Sequence, residues 1–391
     1  MLRKALFWMH LATGVAVGLV VLMMSATGVI LTYERQILDA TAQKVAVPAD
    51  GTTLPLSDLV RTTTNDGFEP THLTLHADPS KPLELRAGRS GSRLIDPYTG
   101  ERLTAANRTL DAFFAAVTRW HRWFDAGDDE RATARAITGG ANLAFLFLLL
   151  SGAWLWLPGT VSRATFRRRL WFTGARTAAQ RDYTWHHVIG FWSLLPLVVI
   201  VATGTVFGYG WANRLAYNLA GEEPPVRSAP GPAGQHASAP VAGMRPGPAD
   251  ALPLDTLPLE MLLARAVDAF EAELGPWNAV TVTLPETGAT RIQFQFDQGT
   301  GGQPQRRHGL TLEVARGDLL GWSRFQDQSV GTRLRSWIRF LHTGEALGFA
   351  GQTVAGVASL GAVFMVWTGL SLSLRRFRRY QRRRLARTSI A

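Results

Sequence analysis

Apolar residues run almost unbroken through four stretches of this chain, and alternating, turn-rich or charged sequence fills the gaps between them. The stretches cover residues 5–32, 137–157, 188–211 and 346–374, and none contains Lys, Arg, Asp or Glu. A helix of about 20 residues crosses a bilayer core of about 30 Å, and a charge at mid-membrane costs about 2.5 to 3.5 kcal/mol. Four membrane-spanning helices are therefore predicted, rather than core helices of a water-soluble protein.

The intervening segments carry a different periodicity. Residues 71–76 and 82–86 alternate apolar and polar positions as half-buried strands do, and residues 92–103 read as strand, Asp96-Pro97-Gly100 turn and strand. A helical face follows over 109–124, formed by Leu110, Phe113, Phe114, Val117 and Trp120. The second segment opens on a Pro-, Gly-, Ala- and Ser-rich stretch, 221–250, which cannot bury a core and is expected to be a linker. An amphipathic helix (257–274) and strands at 279–284, 290–296 and 309–314 come next. The predicted fold class is membrane α-helical, a four-helix transmembrane bundle with two small α+β domains on its outer side. In order it runs as N-terminus and span (1–32), domain (33–136), span (137–157), loop (158–185), span (186–211), linker and domain (212–345), span (346–374) and tail (375–391).

Charge orients this plan. Of 41 Lys and Arg residues, sixteen lie at Arg3-Lys4, in the loop after the second span and in the tail, with one of the 30 acids. By the positive-inside rule those segments face the cytoplasm and the two large ones lie opposite. The net charge of +11 thus reads as topology anchors, and no nucleic-acid role is expected. Arg3-Lys4 ahead of an apolar run resembles a signal peptide, but a run of about 28 residues exceeds an h-region, so a retained anchor is predicted. With no cysteine, disulfides, iron–sulfur clusters and covalent CxxCH haem are excluded.

The spans repeat, and the repeat is centred on histidine. His10 with Gly14 leads to Thr27-Gly28 in the first span, and His186 with Gly190 leads at the same spacing to Thr203-Gly204 in the third. Trp120-His121-Arg122 precedes a second span containing Ser151-Gly152, and Leu341-His342-Thr343 precedes a fourth containing Thr368-Gly369. Two histidines therefore belong to each side of the membrane. In a helical bundle, one histidine from each of two helices can ligate a haem iron axially. We expect two b-type haems, one held by His10 and His186 on the cytoplasmic side and one by His121 and His342 on the outer side. His187 is the alternative to His186, which the repeat favours. Gly14 and Gly190 would give a flat macrocycle room, while Arg122 and Arg339, with Arg119 and Arg335, could meet propionates or simply snorkel. Zinc fits less well, because no carboxylate or cysteine accompanies the pairs. His72, His76, His236 and His308 receive no role.

One geometric condition attaches to His121. It stands sixteen residues before Ile137, about 24 Å on a straight helix, so the acidic run at 125–130 must break the helix and fold it back.

The opening Phe7-Trp8-Met9-His10, Asp96-Pro97-Tyr98-Thr99-Gly100-Glu101, Trp120-His121-Arg122, Trp185-His186-His187 and Phe340-Leu341-His342-Thr343-Gly344-Glu345 resemble the PepSY-associated transmembrane family, which includes iron-regulated membrane proteins and inner-membrane ferric-siderophore reductases. The resemblance covers essentially the whole chain. It implies PepSY-like periplasmic domains, a bacterial inner-membrane location, and haem-mediated transfer of electrons from a cytoplasmic donor to a ferric siderophore or similar periplasmic chelate. Fe(II) is softer and more weakly held by hard oxygen donors, so reduction would release it. No GxGxxG fingerprint after a strand is present, so NADPH binding by the chain itself is not expected. The rival expectations are a non-redox regulatory or ligand-binding membrane protein and a transporter of the intact siderophore.

Overall fold

The computed structural model describes residues 1–88, 91–103, 108–158, 163–224, 257–285 and 288–388. The chain forms two compact units: Met1–Ile37, Thr109–Glu222 and Leu334–Ala391 make up the first, and Leu38–Arg108 with Glu223–Arg333 the second. Most of the linker expected at 221–250 lies outside the described residues.

Four helices of the first unit are long and apolar enough to cross a membrane. They are Leu2–Leu31, Arg131–Trp156, Ala178–Gly208 and Gly348–Thr388. Each span packs on the next and the last closes on the first. Val21, Phe145, Leu149, Leu197, Val201, Ala358 and Ala362 fill the centre, whereas Leu19, Leu195 and Trp367 point outward, 72, 75 and 62% exposed. An apolar surface on every side is what a lipid solvent requires. Small residues set the crossings: a Cβ on Gly356 would come within 2.9 Å of Thr32, and one on Gly361 would run into Ser193.

The helices outrun the apolar stretches that predicted them. The third begins ten residues before Val188, at Ala178, where the Thr177 hydroxyl caps the Gln180 amide at 3.2 Å. That extra length carries Asp182, 1% exposed, whose carboxylate accepts from Ser371 at 2.7 Å and is paired with Arg181 and Arg375. The fourth likewise continues through its arginine-rich end to Thr388. Charge marks where lipid ends, not where backbone hydrogen bonding ends.

Two further helices approach the spans, Arg108–Trp123 ahead of the second and Val330–Thr343 ahead of the fourth. The first stops because Phe124 and Asp125 take left-handed φ angles of 56° and 57°, and the Thr138 hydroxyl then holds the Arg122 carbonyl at 2.9 Å. The break required at 125–130 is present, and it brings His121 level with the second span's first turns. The other approach helix stops at Gly344, φ 78°, where a Cβ would lie 2.5 Å from the Gly351 carbonyl oxygen. Only glycine fits there.

The second unit contains the helices Leu56–Asn65 and Leu259–Leu274 and eight strands: β1 (His72–His76), β2 (Leu83–Ala87), β3 (Gly91–Ile95), β4 (Arg102–Leu103), β5 (Ala279–Thr283), β6 (Arg291–Asp297), β7 (Arg307–Glu313) and β8 (Leu319–Arg324). They form one antiparallel sheet in the order β4-β3-β2-β1-β5-β6-β7-β8. Two separate α+β domains were expected from the sequence; instead both segments share this sheet and one core, running from Leu59, Leu73 and Leu85 to Leu262, Phe270, Phe294 and Leu310. The physical reason lies at the join. Alone, each half would leave β1 or β5 as an unpaired edge. Paired, the strands meet with Thr74 opposite Thr281, the third residue of each, and their hydroxyls bond at 3.0 Å. The sheet is thus a two-fold repeat about β1 and β5.

Candidate functional site

The four repeated histidines occupy four versions of one seat, each made by a neighbouring span. His10 Nδ1 lies 2.8 Å from the Ser151 hydroxyl, and His121 Nδ1 lies 2.9 Å from that of Thr27. His186 Nδ1 lies 3.0 Å from the Thr368 hydroxyl and 3.1 Å from the Met365 carbonyl. For His342 the distances are 3.3 Å to Thr203 and 2.8 Å to the Ile200 carbonyl. The residue after each hydroxyl is glycine, and the imidazole edge lies over it. A Cβ on Gly152, Gly28, Gly369 or Gly204 would meet the Cε1 of His10, His121, His186 or His342 at 3.3, 3.7, 3.4 or 3.2 Å. The Ser/Thr-Gly pairs that recur in the sequence are therefore the floors on which the histidines rest, a role the sequence alone did not assign.

Acceptor-only partners fix the proton on the ring at two seats, where the Met365 and Ile200 carbonyls accept from Nδ1–H of His186 and His342. Thr27 Oγ1 donates to the Met23 carbonyl at 2.7 Å, Thr203 to Val199 at 2.6 Å, Thr368 to Phe364 at 2.8 Å and Ser151 to Leu148 at 3.3 Å. A hydroxyl has one hydrogen; Thr27 has two short helix-carbonyl contacts for it, at 2.7 and 3.0 Å, so its oxygen accepts from His121 Nδ1–H. Nε2 is then the bare nitrogen of His121, His186 and His342, and among the described residues no hydrogen bond engages Nε2 of any of the four. An imidazole held through Nδ1–H with Nε2 bare is ready to ligate a metal.

The structure places His121 beside His342, and His10 within electrostatic reach of His186. The His121 and His342 rings are neighbours in an edge-to-face arrangement, with centroids 6.5 Å apart and planes at 64°. Burial, then the His342 and Arg122 charges, pushes His121 down to about 4, and burial lowers His342 as well. Both are thus neutral near pH 7, as ligation demands. At the other end of the bundle, His10 and His187 are electrostatic neighbours of His186. His187 has no Ser/Thr-Gly seat: its Nδ1 meets the Tyr183 carbonyl at 2.9 Å, and its ring packs on Tyr183 at 4.1 Å. His186 is the one that matches the other three. Among the described residues no three His, Asp or Glu side chains gather, so each layer offers two imidazoles.

Other expected site residues fall out differently. A Cβ on Gly14 would meet Leu148 at 3.8 Å and one on Gly190 would meet Met365 at 3.6 Å, both ordinary packing contacts between spans. Arg119 pairs with Asp125, and Arg335 donates to Asn213 at 3.0 Å. Arg122 lies over the Trp123 ring and Arg339 over that of Phe340. Asn142, absent from the sequence reading, donates to the Val201 carbonyl and the Thr205 hydroxyl at 2.9 and 3.0 Å beside the His342 seat. His72, His76 and His308 belong to the sheet unit, and His236 lies outside the described residues.

No curated protein matches the chain. A family model does: that of the PepSY-associated TM region matches residues 7–376, a range that takes in all four spans' histidine seats and the whole sheet unit between them. With four spans, a repeated histidine layer at each end and a match of that extent, this membrane protein belongs to the PepSY-associated transmembrane family.

Proposed function

We propose that the chain is a dihaem electron-transfer protein of the bacterial inner membrane that reduces a ferric chelate in the periplasm, a siderophore being the expected class, with electrons from a cytoplasmic donor. His10 and His186 would hold one b-type haem, and His121 and His342 the other. The observation that carries the reading is the set of four seats, each of which engages Nδ1 and, among the described residues, leaves Nε2 without a hydrogen bond. The second pair lies with ring centres 6.5 Å apart, near enough for both imidazoles to hold the iron that a bound haem would supply.

Bound there, haem would supply a reversible one-electron couple. The protein's own part is orientation and exclusion. The hydroxyl floors orient each ring, and the glycines admit it to the helix surface. Between the layers, seventeen residues of the first span from His10 to Thr27 rise about 26 Å, packed around Phe145, Leu149, Leu197 and Val201. That plug keeps water and protons from following the electron.

Haem per protein, measured on the purified chain and on each His→Ala variant, tests the reading. The expected outcome is two haems, with His10→Ala and His186→Ala losing one and His121→Ala and His342→Ala the other. A chain without a Soret band after haem-supplemented expression would defeat it and favour a non-redox binding role. Loss of the same haem by His10→Ala and His342→Ala would defeat the pairing.

A further inference from the structure

Beside the His121 seat, three guanidinium groups collect and one carboxylate, that of Asp128, answers them. Trp123, 7% exposed, ends the approach helix. Three guanidinium groups lie over its ring, Arg122 at 4.8 Å, Arg131 at 5.4 Å and Arg135 at 5.4 Å. Arg131 reaches Asp128, but among the described residues Arg122 and Arg135 make no ion pair.

Two donors in the same place are orphaned. The Nε1–H of Trp123 and the Nε–H of Arg131 are buried and have no hydrogen-bond partner. Each such group forfeits about 1 to 3 kcal/mol, and the like charges around them add to that cost. Cation–π contact returns about 0.5 to 2 kcal/mol per pair, yet it leaves the N–H groups unanswered. Snorkelling to water accounts for an exposed arginine, not for a buried indole N–H. Neighbouring unpaired donors and excess cationic charge are the complement of an anion, and guanidinium forks match a carboxylate's two oxygens.

We propose that Trp123, Arg122, Arg131 and Arg135 form a binding site for a carboxylate group next to the His121 and His342 pair. The carboxylate has two possible sources. One is a propionate of a haem held by that pair, which rests on the function proposed above. The other is a polycarboxylate ligand arriving from solution, which does not.

Two titrations on the full chain distinguish them. In one, citrate is titrated into the purified protein by calorimetry, comparing wild type with Arg135→Gln and with Trp123→Phe, which keeps the ring and removes the donor. In the other, haem-depleted protein is reloaded with protohaem or its dimethyl ester. Citrate binding weakened tenfold or more in both variants supports a free carboxylate ligand. A tenfold or greater preference of the wild type for protohaem over the ester, abolished in both variants, supports the propionate. If neither quantity changes in either variant, the site is overturned. If neither haem form binds, the haem reading fails and the citrate series alone decides, with no binding to wild type counting against the site.

Discussion

At the scale of the residue, a single hydrogen decides what each histidine can do. Where the hydroxyl gives its hydrogen to its own helix carbonyl, or where a carbonyl is itself the partner, Nδ1 must donate and Nε2 is left bare. The seats differ in redundancy. His10 Nδ1 has the Ser151 hydroxyl alone, whereas His342 Nδ1 has the Ile200 carbonyl at 2.8 Å besides the more distant Thr203 hydroxyl. Loss of a ligating imidazole's outer partner typically costs 10- to 100-fold in metal affinity. Ser151→Ala is therefore expected to weaken haem binding at the His10 layer by about that factor. Thr203→Val, which leaves the carbonyl acceptor in place, should cost the His342 layer less than about tenfold. The rate of haem transfer to an acceptor globin measures both, and equal losses would mean that the hydroxyls do not set the ring orientation.

At the scale of the element, the turn after His121 carries more of the site than its length implies. Phe124 and Asp125 stand in the left-handed region, which costs a non-glycine residue about 1 to 2 kcal/mol and penalises β-branched side chains further. The Arg119–Asp125 ion pair is half-exposed on both sides and contributes little. Asp125→Asn, which tolerates the backbone, should leave thermal stability nearly unchanged, whereas Asp125→Val should lower it by about 1 to 2 kcal/mol and loosen the His121 layer. A valine variant as stable as wild type in a detergent melt would show that the turn relaxes freely. The spans, their order and the four histidines were legible in the sequence because length, charge and repetition are written locally. The need for a break near 125–130 was legible too, as a conflict between helix rise and ligand position. The seats were not, since Ser151 and His10 are 141 positions apart and only packing decides which Ser/Thr-Gly faces which ring. The helix Leu56–Asn65 and strand β8 went unread for a similar reason: their apolar positions gain meaning only against the shared core.

At the scale of the whole molecule, the same duplication appears twice, as paired histidine seats in the membrane unit and as mirrored halves of one sheet in the other. The sheet's halves are joined by backbone pairing at β1 and β5 and, at the helix layer, by a polar contact that titrates. The Ser57 amide and hydroxyl, from the first half, both donate to Glu260 Oε1 of the second, at 2.8 and 2.9 Å. Burial alone would raise the Glu260 carboxyl, but the Ser57 donors outweigh it and hold the group below its ordinary value. A carboxyl whose folded value is depressed stabilises the fold fully above its unfolded value and loses that contribution as pH falls through the folded one. The contact therefore ties the halves together at neutral pH and is released in acid, below the ordinary carboxylate range of about 4. Because Glu260 remains substantially solvated, the effect is held to about 1 kcal/mol or less. Glu260→Gln is expected to lower the unfolding midpoint of the sheet unit at pH 7 and to match wild type near pH 3. A deficit that persisted unchanged at pH 3 would assign the effect to side-chain packing, and no deficit at pH 7 would leave β1 and β5 to hold the two halves together by themselves.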